Sequence, residues 1–165
     1  MGLEIERKFL VIGESWRAAA LDGRRVRQGY LSTTPGRTVR VRTLGTAAFL
    51  TVKGRREGLG RAEFEYPIPP EDAAYMLDVL CQQPLVEKTR YHVPVAGLTW
   101  EVDEFTGENA GLVIAEVELE RPDQAVELPA WAGAEVSTDY RYTNVYLAQH
   151  PYRSWEASHE DRHRE

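Results

Sequence analysis

Apolar and polar residues alternate with a period of two along most of this chain. This period is typical of β-strands, because successive side chains of a strand point to opposite faces. Turn residues such as Thr34-Pro35-Gly36 separate several of the alternating segments, which favours antiparallel connections. The pattern predicts eight strands, over Leu3–Val11, Arg25–Ser32, Thr38–Leu44, Phe49–Gly54, Ala62–Ile68, Leu85–Val95, Thr99–Phe105 and Leu112–Glu120.

Three segments have helical spacing instead. We predict helices over Glu14–Leu21, Glu71–Cys81 and Tyr142–His150; the second follows Pro69-Pro70, and Pro151 ends the third. The last residues, 151–165, are polar and are expected to form a mobile tail in which His159 and His163 are solvated. One domain over residues 1–150 and a polar tail over 151–165 are therefore expected.

Composition narrows the class of protein. The length of 165 residues suits one domain, and 42% hydrophobic residues suffice for a core. A net charge of -6 leaves no large basic patch, so we expect no nucleic-acid partner. A single cysteine, Cys81, excludes an intrachain disulfide. The N-terminus has no apolar signal region, and no apolar run reaches a membrane span, so a cytoplasmic location without membrane contact is expected.

Charged residues occupy one face of nearly every predicted strand, and always in pairs. A solvated face of a β-sandwich explains alternation alone. However, the charges are segregated by strand, whereas solvated surfaces usually mix both signs. We therefore predict a mainly β, α+β fold: an eight-stranded antiparallel closed barrel with covering helices, whose lumen admits a small ligand. The inward carboxylates would be Glu4, Glu6, Glu63, Glu65, Glu101, Asp103, Glu116 and Glu118, and the inward cations Lys8, Arg40, Arg42, Lys53, Lys88 and Arg90.

Such a lumen needs charged partners, because partly buried charges are costly when they are unpaired. A polyanion would pair with the lysines and arginines. Clustered carboxylates would bind Mg²⁺ or Mn²⁺ through oxygen, and the absence of Cys and His from these positions argues against structural zinc.

The opening Glu4-Ile5-Glu6-Arg7-Lys8 resembles the ExExK signature of the CYTH superfamily, the triphosphate tunnel metalloenzymes. The later charged pairs follow in the family's order, and 138–144 resembles the segment before the family's last helix. The resemblance implies an eight-stranded tunnel that binds triphosphate along its axis. Members hydrolyse tripolyphosphate or thiamine triphosphate, or cyclise ATP to cAMP. The compact chain resembles the short prokaryotic tripolyphosphatases most.

The resemblance also implies roles for individual residues. The metal ligands would be Glu4, Glu6, Glu116 and Glu118, with Glu63, Glu65 and Asp103 as further ligands or as partners that orient the cations. The substrate phosphates would be bound by Lys8, Arg40, Arg42, Lys53, Lys88, Arg90 and Arg141. The alternatives are ion pairing within the lumen for these cations and helix capping for Arg141.

A tyrosine on the second strand is the remaining catalytic candidate. Short family members place a tyrosine there, which implies a proton-transfer pair of Tyr30 with Lys8, beside Glu4 and Glu6. Neighbouring cations would lower the phenol pKa. A purely structural tyrosine with one hydrogen bond is the alternative. His92 continues the face of Lys88 and Arg90 and is expected at the tunnel mouth.

The expected function is metal-dependent hydrolysis of a triphosphate, most simply inorganic tripolyphosphate to diphosphate and phosphate, with Mg²⁺ or Mn²⁺ and as a monomer or homodimer. Four alternatives stay open: a class IV-type adenylate cyclase, a thiamine triphosphatase, a non-catalytic polyphosphate- or nucleotide-binding module, and a β-sandwich of unknown partner. A thiamine site would need an aromatic platform, for which Trp16, Trp131 and Trp155 are available.

Overall fold

A computed structural model of the protein describes residues 2–155. All eight predicted strands are present, and a ninth is added. The four residues of the ninth are too short and too weakly alternating to be recognised in the sequence. The strands are β1 (Gly2–Val11), β2 (Leu21–Thr34), β3 (Arg37–Leu44), β4 (Ala47–Lys53), β5 (Gly60–Pro67), β6 (Val86–Val95), β7 (Leu98–Thr106), β8 (Val113–Glu118) and β9 (Ala132–Glu135).

The sheet closes on itself. All its pairings are antiparallel, in the order β5-β4-β3-β2-β6-β7-β8-β1-β9, and β1 also pairs with β5. One edge of β1 is shared: Gly2–Ile5 pair with β5, and Phe9 and Val11 pair with β9 further along. Strands β1 to β8 therefore form the expected closed barrel, and β9 continues the edge that β5 leaves. The alternative of an open sandwich is excluded, because its two sheets would not join in this way.

The outer face of the barrel carries the apolar side chains. On β1, β7 and β8 these include Phe9, Trp100 and Val117, and they form one buried cluster. Trp16 covers this cluster from a 3₁₀ turn at Ser15–Ala19, which replaces the predicted helix over Glu14–Leu21. Trp131 covers it from the segment between β8 and β9. The apolar side chains of this cluster thus point outward from the barrel and lie under covering segments.

A second covering element packs on β3 and β4. Helix α1 (Pro70–Tyr75) continues into one turn of π-helix at Met76–Leu80, close to the predicted Glu71–Cys81. Its buried residues pack against Val41 and Ala48. Gly29 of β2 permits this approach, because a Cβ at that position would lie 2.8 Å from the Cβ of Cys81.

Helix α2 (Asn144–Gln149) closes part of one end of the barrel. It is shorter than the predicted Tyr142–His150, because Thr143 caps it: the Thr143 Oγ1 accepts a hydrogen bond of 3.2 Å from the backbone N–H of Tyr146. A separate 3₁₀ turn at Tyr140–Tyr142 precedes the cap. The buried side chains of α2 pack on inward residues of β2, β6, β7 and β8, namely Tyr30, Val86, Phe105 and Ile114.

The predicted boundary at residue 150 stays a prediction. Packing continues beyond it, since the rings of Trp155 and Tyr142 lie 5.4 Å apart. His159 and His163 lie outside the described residues. Within residues 2–155, no helix combines the length and the apolar character that crossing a membrane requires.

Candidate active site

The barrel encloses a cavity of about 490 Å³ that opens beside the exposed residues Gly2 and Thr99. We call this opening the mouth. The volume of the cavity lies within the usual range for small-ligand sites, roughly 300–1,000 Å³. The walls are formed by most of the charged residues that the alternation places on the inner face: Glu4, Glu6, Arg40, Arg42, Lys53, Glu63, Glu65, Arg90, Glu101, Glu116 and Glu118.

The two signs of charge occupy opposite halves of the barrel. Along the chain, acidic and basic strands are interspersed, but closure places β7, β8, β1 and β5 side by side, and these strands carry the lumen carboxylates. The other half consists of β6, β2, β3 and β4, and these strands carry the lysines and arginines that line the main cavity. The cavity therefore has an acidic wall that faces a basic wall.

Four neighbouring carboxylates of the acidic wall affect one another: Glu4, Glu6, Glu63 and Glu116. Burial and the neighbouring charges of Glu116 and Glu4 raise the pKa of Glu6 well above its usual range. Burial also acts on Glu4, but hydrogen bonds with Glu63 and Lys53 prevail and hold the pKa of Glu4 far below its usual range. A hydrogen bond with Glu4, together with burial, raises the pKa of Glu63 to about 7. In this cluster the repulsion between the carboxylates is only partly offset by neighbouring lysines, since the charge of Lys8 lowers the pKa of Glu6 but does not cancel its rise.

The acidic wall has the donor chemistry of a hard-cation site. All its inward ligands are carboxylate oxygens, which suit Mg²⁺ and Mn²⁺. Among residues 2–155, however, no three acidic, cysteine or histidine side chains converge into a ready-made metal cluster. The carboxylates contact lysines instead: Glu116 lies 3.6 Å from the Lys8 Nζ, and Glu4 lies 2.7 Å from the Lys53 Nζ. Binding a cation would require these contacts to loosen.

Two arginines of the basic wall share a single carboxylate. Glu65 lies 3.5 Å from Arg42 and 3.9 Å from Arg40, and both arginines have a buried Nε without a hydrogen-bond partner in the described chain. Burial lowers the pKa of Arg42 to about 10, helped by the charges of Arg40 and Arg90. Clustered arginines that share one carboxylate form a strong site for an anion.

Arg90 is held in place by a buried carboxylate. Its guanidinium donates two hydrogen bonds to Asp103, of 2.8 and 2.9 Å, and pairs with Glu101 at 2.8 Å. Lys88 contacts the same Asp103 at 2.8 Å. Lys88 and Asp103 are fully buried, and they do not line this cavity. The structure thus places them deeper in the barrel interior than the cavity, where Asp103 orients Arg90.

Beyond the main cavity, toward α2, lies a small inner chamber of about 30 Å³, the volume of a single water molecule. Lys8 and Tyr30 both line it, so the sequence-predicted pair lies in one place. Burial raises the pKa of Tyr30, although Arg40 and Arg61 oppose this shift. The expectation that neighbouring cations lower this phenol pKa was therefore wrong, because the barrel interior desolvates the phenolate more than the arginines stabilise it.

Two further arginines line the chamber, Arg56 and Arg61, which sequence reasoning missed. Arg61 lies opposite Glu4 in the β1–β5 ladder, two residues before Glu63, so the same alternation could have identified it. Arg56 lies in the loop after β4, where no periodic pattern exists. Asn144, at the start of α2, also reaches the chamber, and its Oδ1 lies 3.4 Å from the Lys88 Nζ.

Two other candidates lie at the edges of the site. His92 is at the mouth, as expected, where its Nδ1 lies 3.2 Å from Asp22. Arg141 lines neither the cavity nor the chamber. It pairs with Asp139 at 2.7 Å, and its guanidinium lies over the Tyr142 ring, as a residue at the start of the last helical region would.

Comparisons with known proteins agree with this architecture. The model of the CYTH domain matches residues 2–152. A protein of Acetivibrio thermocellus named inorganic triphosphatase is 46% identical over 155 residues, which cover 94% of this chain and 99% of its own. A second inorganic triphosphatase, from Nitrosomonas europaea, is 40% identical over 149 residues, with coverage of 88% and 96%.

A crystal structure of an inorganic triphosphatase superposes with a TM-score of 0.63 at 38% identity, over 90% of this chain and 95% of that one. The matched region includes every strand of the barrel and the helix that closes its end. The chain belongs to the CYTH domain family.

Proposed function

We propose that this protein is a metal-dependent triphosphatase that hydrolyses inorganic tripolyphosphate to diphosphate and orthophosphate. The single observation that carries the proposal is the division of the lumen into a basic wall and an acidic wall. The basic wall would bind a linear polyanion, and the carboxylates of the acidic wall would hold a divalent cation. The two relatives named inorganic triphosphatase support the same activity.

The basic wall would hold the phosphate chain. Arg40, Arg42 and Arg90 line the cavity, and Asp103 orients Arg90 through two hydrogen bonds. Arginine presents a planar fork of donors that matches phosphate oxygens, and burial strengthens each contact by excluding water. These residues would neutralise charge on the substrate and hold the phosphorus atoms in line for attack.

The acidic wall would hold the cation through Glu4, Glu6, Glu116 and Glu118. A divalent cation in such a site neutralises phosphate charge and lowers the pKa of bound water. The crowding of Glu4, Glu6 and Glu116 favours this role, because a cation would relieve the repulsion that raises the pKa of Glu6. Lys53 and Lys8, which contact these carboxylates in the protein alone, would turn to the phosphates when the cation binds.

The inner chamber would bind an oxygen of the phosphate group at the inner end of the substrate. A raised pKa keeps the Tyr30 phenol neutral near pH 7, so it can donate a hydrogen bond to a phosphate oxygen. Lys8 lines the same chamber and would add a positive charge beside it. We therefore infer that Tyr30 and Lys8 stabilise the oxygen that gains charge as the phosphoanhydride bond breaks.

The lining of the cavity favours an inorganic substrate over a nucleotide or thiamine triphosphate. Of the described residues that line the main cavity, none is phenylalanine, tyrosine or tryptophan. Trp16 and Trp131 belong to the outer cluster, and Trp155 packs on Tyr142. A ring system at the mouth would therefore meet charged side chains rather than an aromatic platform.

A phosphate-release assay tests the proposal, with tripolyphosphate, pyrophosphate, ATP and thiamine triphosphate, each with Mg²⁺ and Mn²⁺. Tripolyphosphate should be cleaved to one diphosphate and one orthophosphate. Glu4→Gln should reduce kcat at least ~100-fold, the order of magnitude lost when preorganised electrostatic stabilisation is removed. Glu127→Gln, at an exposed carboxylate outside the barrel, is the matched control. Wild-type turnover by Glu4→Gln in metal-replete buffer, or cAMP as the main product from ATP, would contradict the proposal.

A further inference from the structure

The barrel has a second opening at the end opposite the mouth. This cavity, which we call the vestibule, has a volume of about 260 Å³. It lies between the turn that joins β2 and β3, the segment after β4, and residues 137–140. Helix α2 covers only part of this end, and Val145 at its start forms one side of the vestibule.

The vestibule adjoins the inner chamber. Arg56 and Arg61 line both, together with Thr38, Thr143 and Val145. The chamber in turn shares Glu4, Glu6, Arg40, Lys53 and Asn144 with the main cavity. A line of cavities therefore runs through the barrel, from the mouth past Lys8 and Tyr30 to the vestibule, and flexible arginine side chains form the wall at its narrow point.

More basic than acidic side chains line the vestibule, although the net charge of the protein is -6. Arg55, Arg56 and Arg61 line it. In the described chain its only lining carboxylate is Asp139, which already accepts hydrogen bonds of 2.7 and 3.1 Å from the Arg141 side chain. Three arginines thus share a cavity whose one carboxylate is engaged elsewhere.

Two of these arginines, Arg56 and Arg61, have few protein partners in the described chain. Within residues 2–155, Arg61 has no carboxylate within 4.0 Å, and its buried Nε has no hydrogen-bond partner. Arg56 reaches one carboxylate, Glu6, only at the limiting distance of 4.0 Å. Burying guanidinium groups without partners is costly, so this arrangement favours an anion that receives their hydrogen bonds.

We propose that the vestibule binds orthophosphate and is the exit for that product; this inference rests on the proposed function. In the hydrolysis, the water oxygen bonds to the terminal phosphorus, the bridging P–O bond breaks, and diphosphate keeps the bridging oxygen with its electron pair. One proton of the water stays on orthophosphate, and the other passes to diphosphate or to the solvent. The terminal phosphate would lie beside Lys8 and Tyr30. Rotation of the Arg56 and Arg61 side chains would pass it into the vestibule, while diphosphate stays on the basic wall and leaves by the mouth.

Calorimetric titration of the full-length protein with inorganic phosphate, in the presence of EDTA, tests the binding site without turnover. Arg55 lines the vestibule and not the main cavity, whereas Arg42 lines the main cavity and not the vestibule. Arg55→Gln should weaken orthophosphate binding about tenfold, the loss expected for one hydrogen bond to a charged group. Arg42→Gln should weaken it less than about twofold, since it removes no hydrogen bond of that kind. Arg121→Gln, at an exposed arginine paired with Asp123, is the control for charge alone.

The reverse ranking, in which Arg42→Gln weakens orthophosphate binding and Arg55→Gln does not, would place the anion in the main cavity and overturn the proposal. Circular dichroism and thermal unfolding of Arg55→Gln should match the wild-type protein, because Arg55 is exposed. A loss of fold in that variant would be resolved with Arg55→Lys, which keeps the charge and should bind orthophosphate more tightly than Arg55→Gln when both are measured at low temperature.

Product inhibition tests the role as an exit. Orthophosphate should inhibit noncompetitively against tripolyphosphate, and diphosphate should inhibit competitively, because the two products occupy different cavities. Arg55→Gln should raise the inhibition constant of orthophosphate alone. Competitive inhibition by orthophosphate, with the same constant in both proteins, would overturn the exit role. If the protein hydrolyses none of the tested triphosphates, the exit role fails with the proposed function, while the titration still decides whether the vestibule binds the anion.

Discussion

Glu4 of β1 and Lys53 of β4 form an ion pair of 2.7 Å across a strand that separates them in the barrel. Lys53 also lies 3.5 Å from Glu63 of the intervening strand β5. This contact joins the acidic wall to the basic wall where both meet the inner chamber. It satisfies two buried charges in the protein alone, and it is the contact that a phosphate chain and a cation would replace on binding.

Glu6→Gln separates the cost of the acidic cluster from its use. Glu6 lies beside Glu4 and Glu116, whose charges and burial raise its pKa, so a neutral amide relieves repulsion. We expect the variant to be as stable as the wild-type protein at pH 8, or more stable by about 1 kcal/mol, the scale of one pKa unit. Its kcat should fall and its metal requirement should rise. Thermal unfolding and a metal titration of activity measure both, and lower stability with intact activity would contradict a ligand role.

Asp103→Asn should destabilise the fold strongly. Asp103 is fully buried and pairs with Lys88 and Arg90. Removing its charge leaves the buried Lys88 without a carboxylate partner and leaves Arg90 with Glu101 alone. Breaking a buried ion pair costs roughly 3–5 kcal/mol. Urea denaturation measures the change in the free energy of unfolding. Asp123→Asn, which removes the exposed partner of Arg121, should cost at most about 1 kcal/mol. Equal effects in the two variants would show that Asp103 is not the anchor of the basic wall.

Glu135→Gln should show a pH-dependent loss of stability. Arg7 donates two hydrogen bonds to Glu135, of 2.7 and 3.0 Å, and these lower the pKa of Glu135 below 4.5. A lowered folded-state pKa contributes stability above the unfolded-state pKa, and this contribution is lost as pH falls through the folded-state pKa. At pH 7 the free energy of unfolding of the wild-type protein should exceed that of the variant by less than about 1 kcal/mol, because the pair is partly exposed.

That difference should shrink as pH falls below about 4.5, the ordinary pKa of the group. Urea denaturation at several pH values between 7 and 3 measures it. Glu127→Gln, at an exposed carboxylate, serves as the comparison and should show no such trend. A difference that is constant across the range would show that the contact contributes through packing rather than through charge.

Tyr30→Phe separates the catalytic role from the structural one. The ring packs in the apolar cluster under α2, and phenylalanine keeps that packing while it removes the hydroxyl. We expect kcat to fall at least ~10-fold, as for the loss of one hydrogen bond to a developing charge. KM should change little. The melting temperature should stay within a few degrees of wild type. An unchanged kcat would leave Tyr30 with a structural role only.

Local alternation was enough to identify the barrel strands and their charged faces. The pairs Arg40/Arg42 and Glu116/Glu118 point inward because residues i and i+2 of a strand share a face, a relation that needs no tertiary information. The same rule places Arg61 on the inner face, although only the structure drew attention to it. Helix ends were less accurate, since the cap at Thr143 depends on a hydrogen bond that periodicity does not show.

The neighbours of each strand depend on closure of the whole sheet, and local patterns are silent on this. Acidic and basic strands are interspersed in the chain, yet the β1–β5 pairing groups them into two walls. The short strand β9 exists only because β5 leaves part of the β1 edge free. Lys88 and Asp103 belong to the inward face by alternation, but depth in the barrel removes them from the cavity.

The sequence by itself determined the strands, the side of each strand that carries charge, and the resemblance to the CYTH family, because these depend on residues one or two positions apart. Only the tertiary structure decided which charges face each other and which lie too deep in the barrel to line the cavity. It also decided that Arg55, Arg56 and Arg61 meet at a second opening. The reason is physical: residues far apart in the chain come together only when the sheet closes, and burial then sets the energy of each charge.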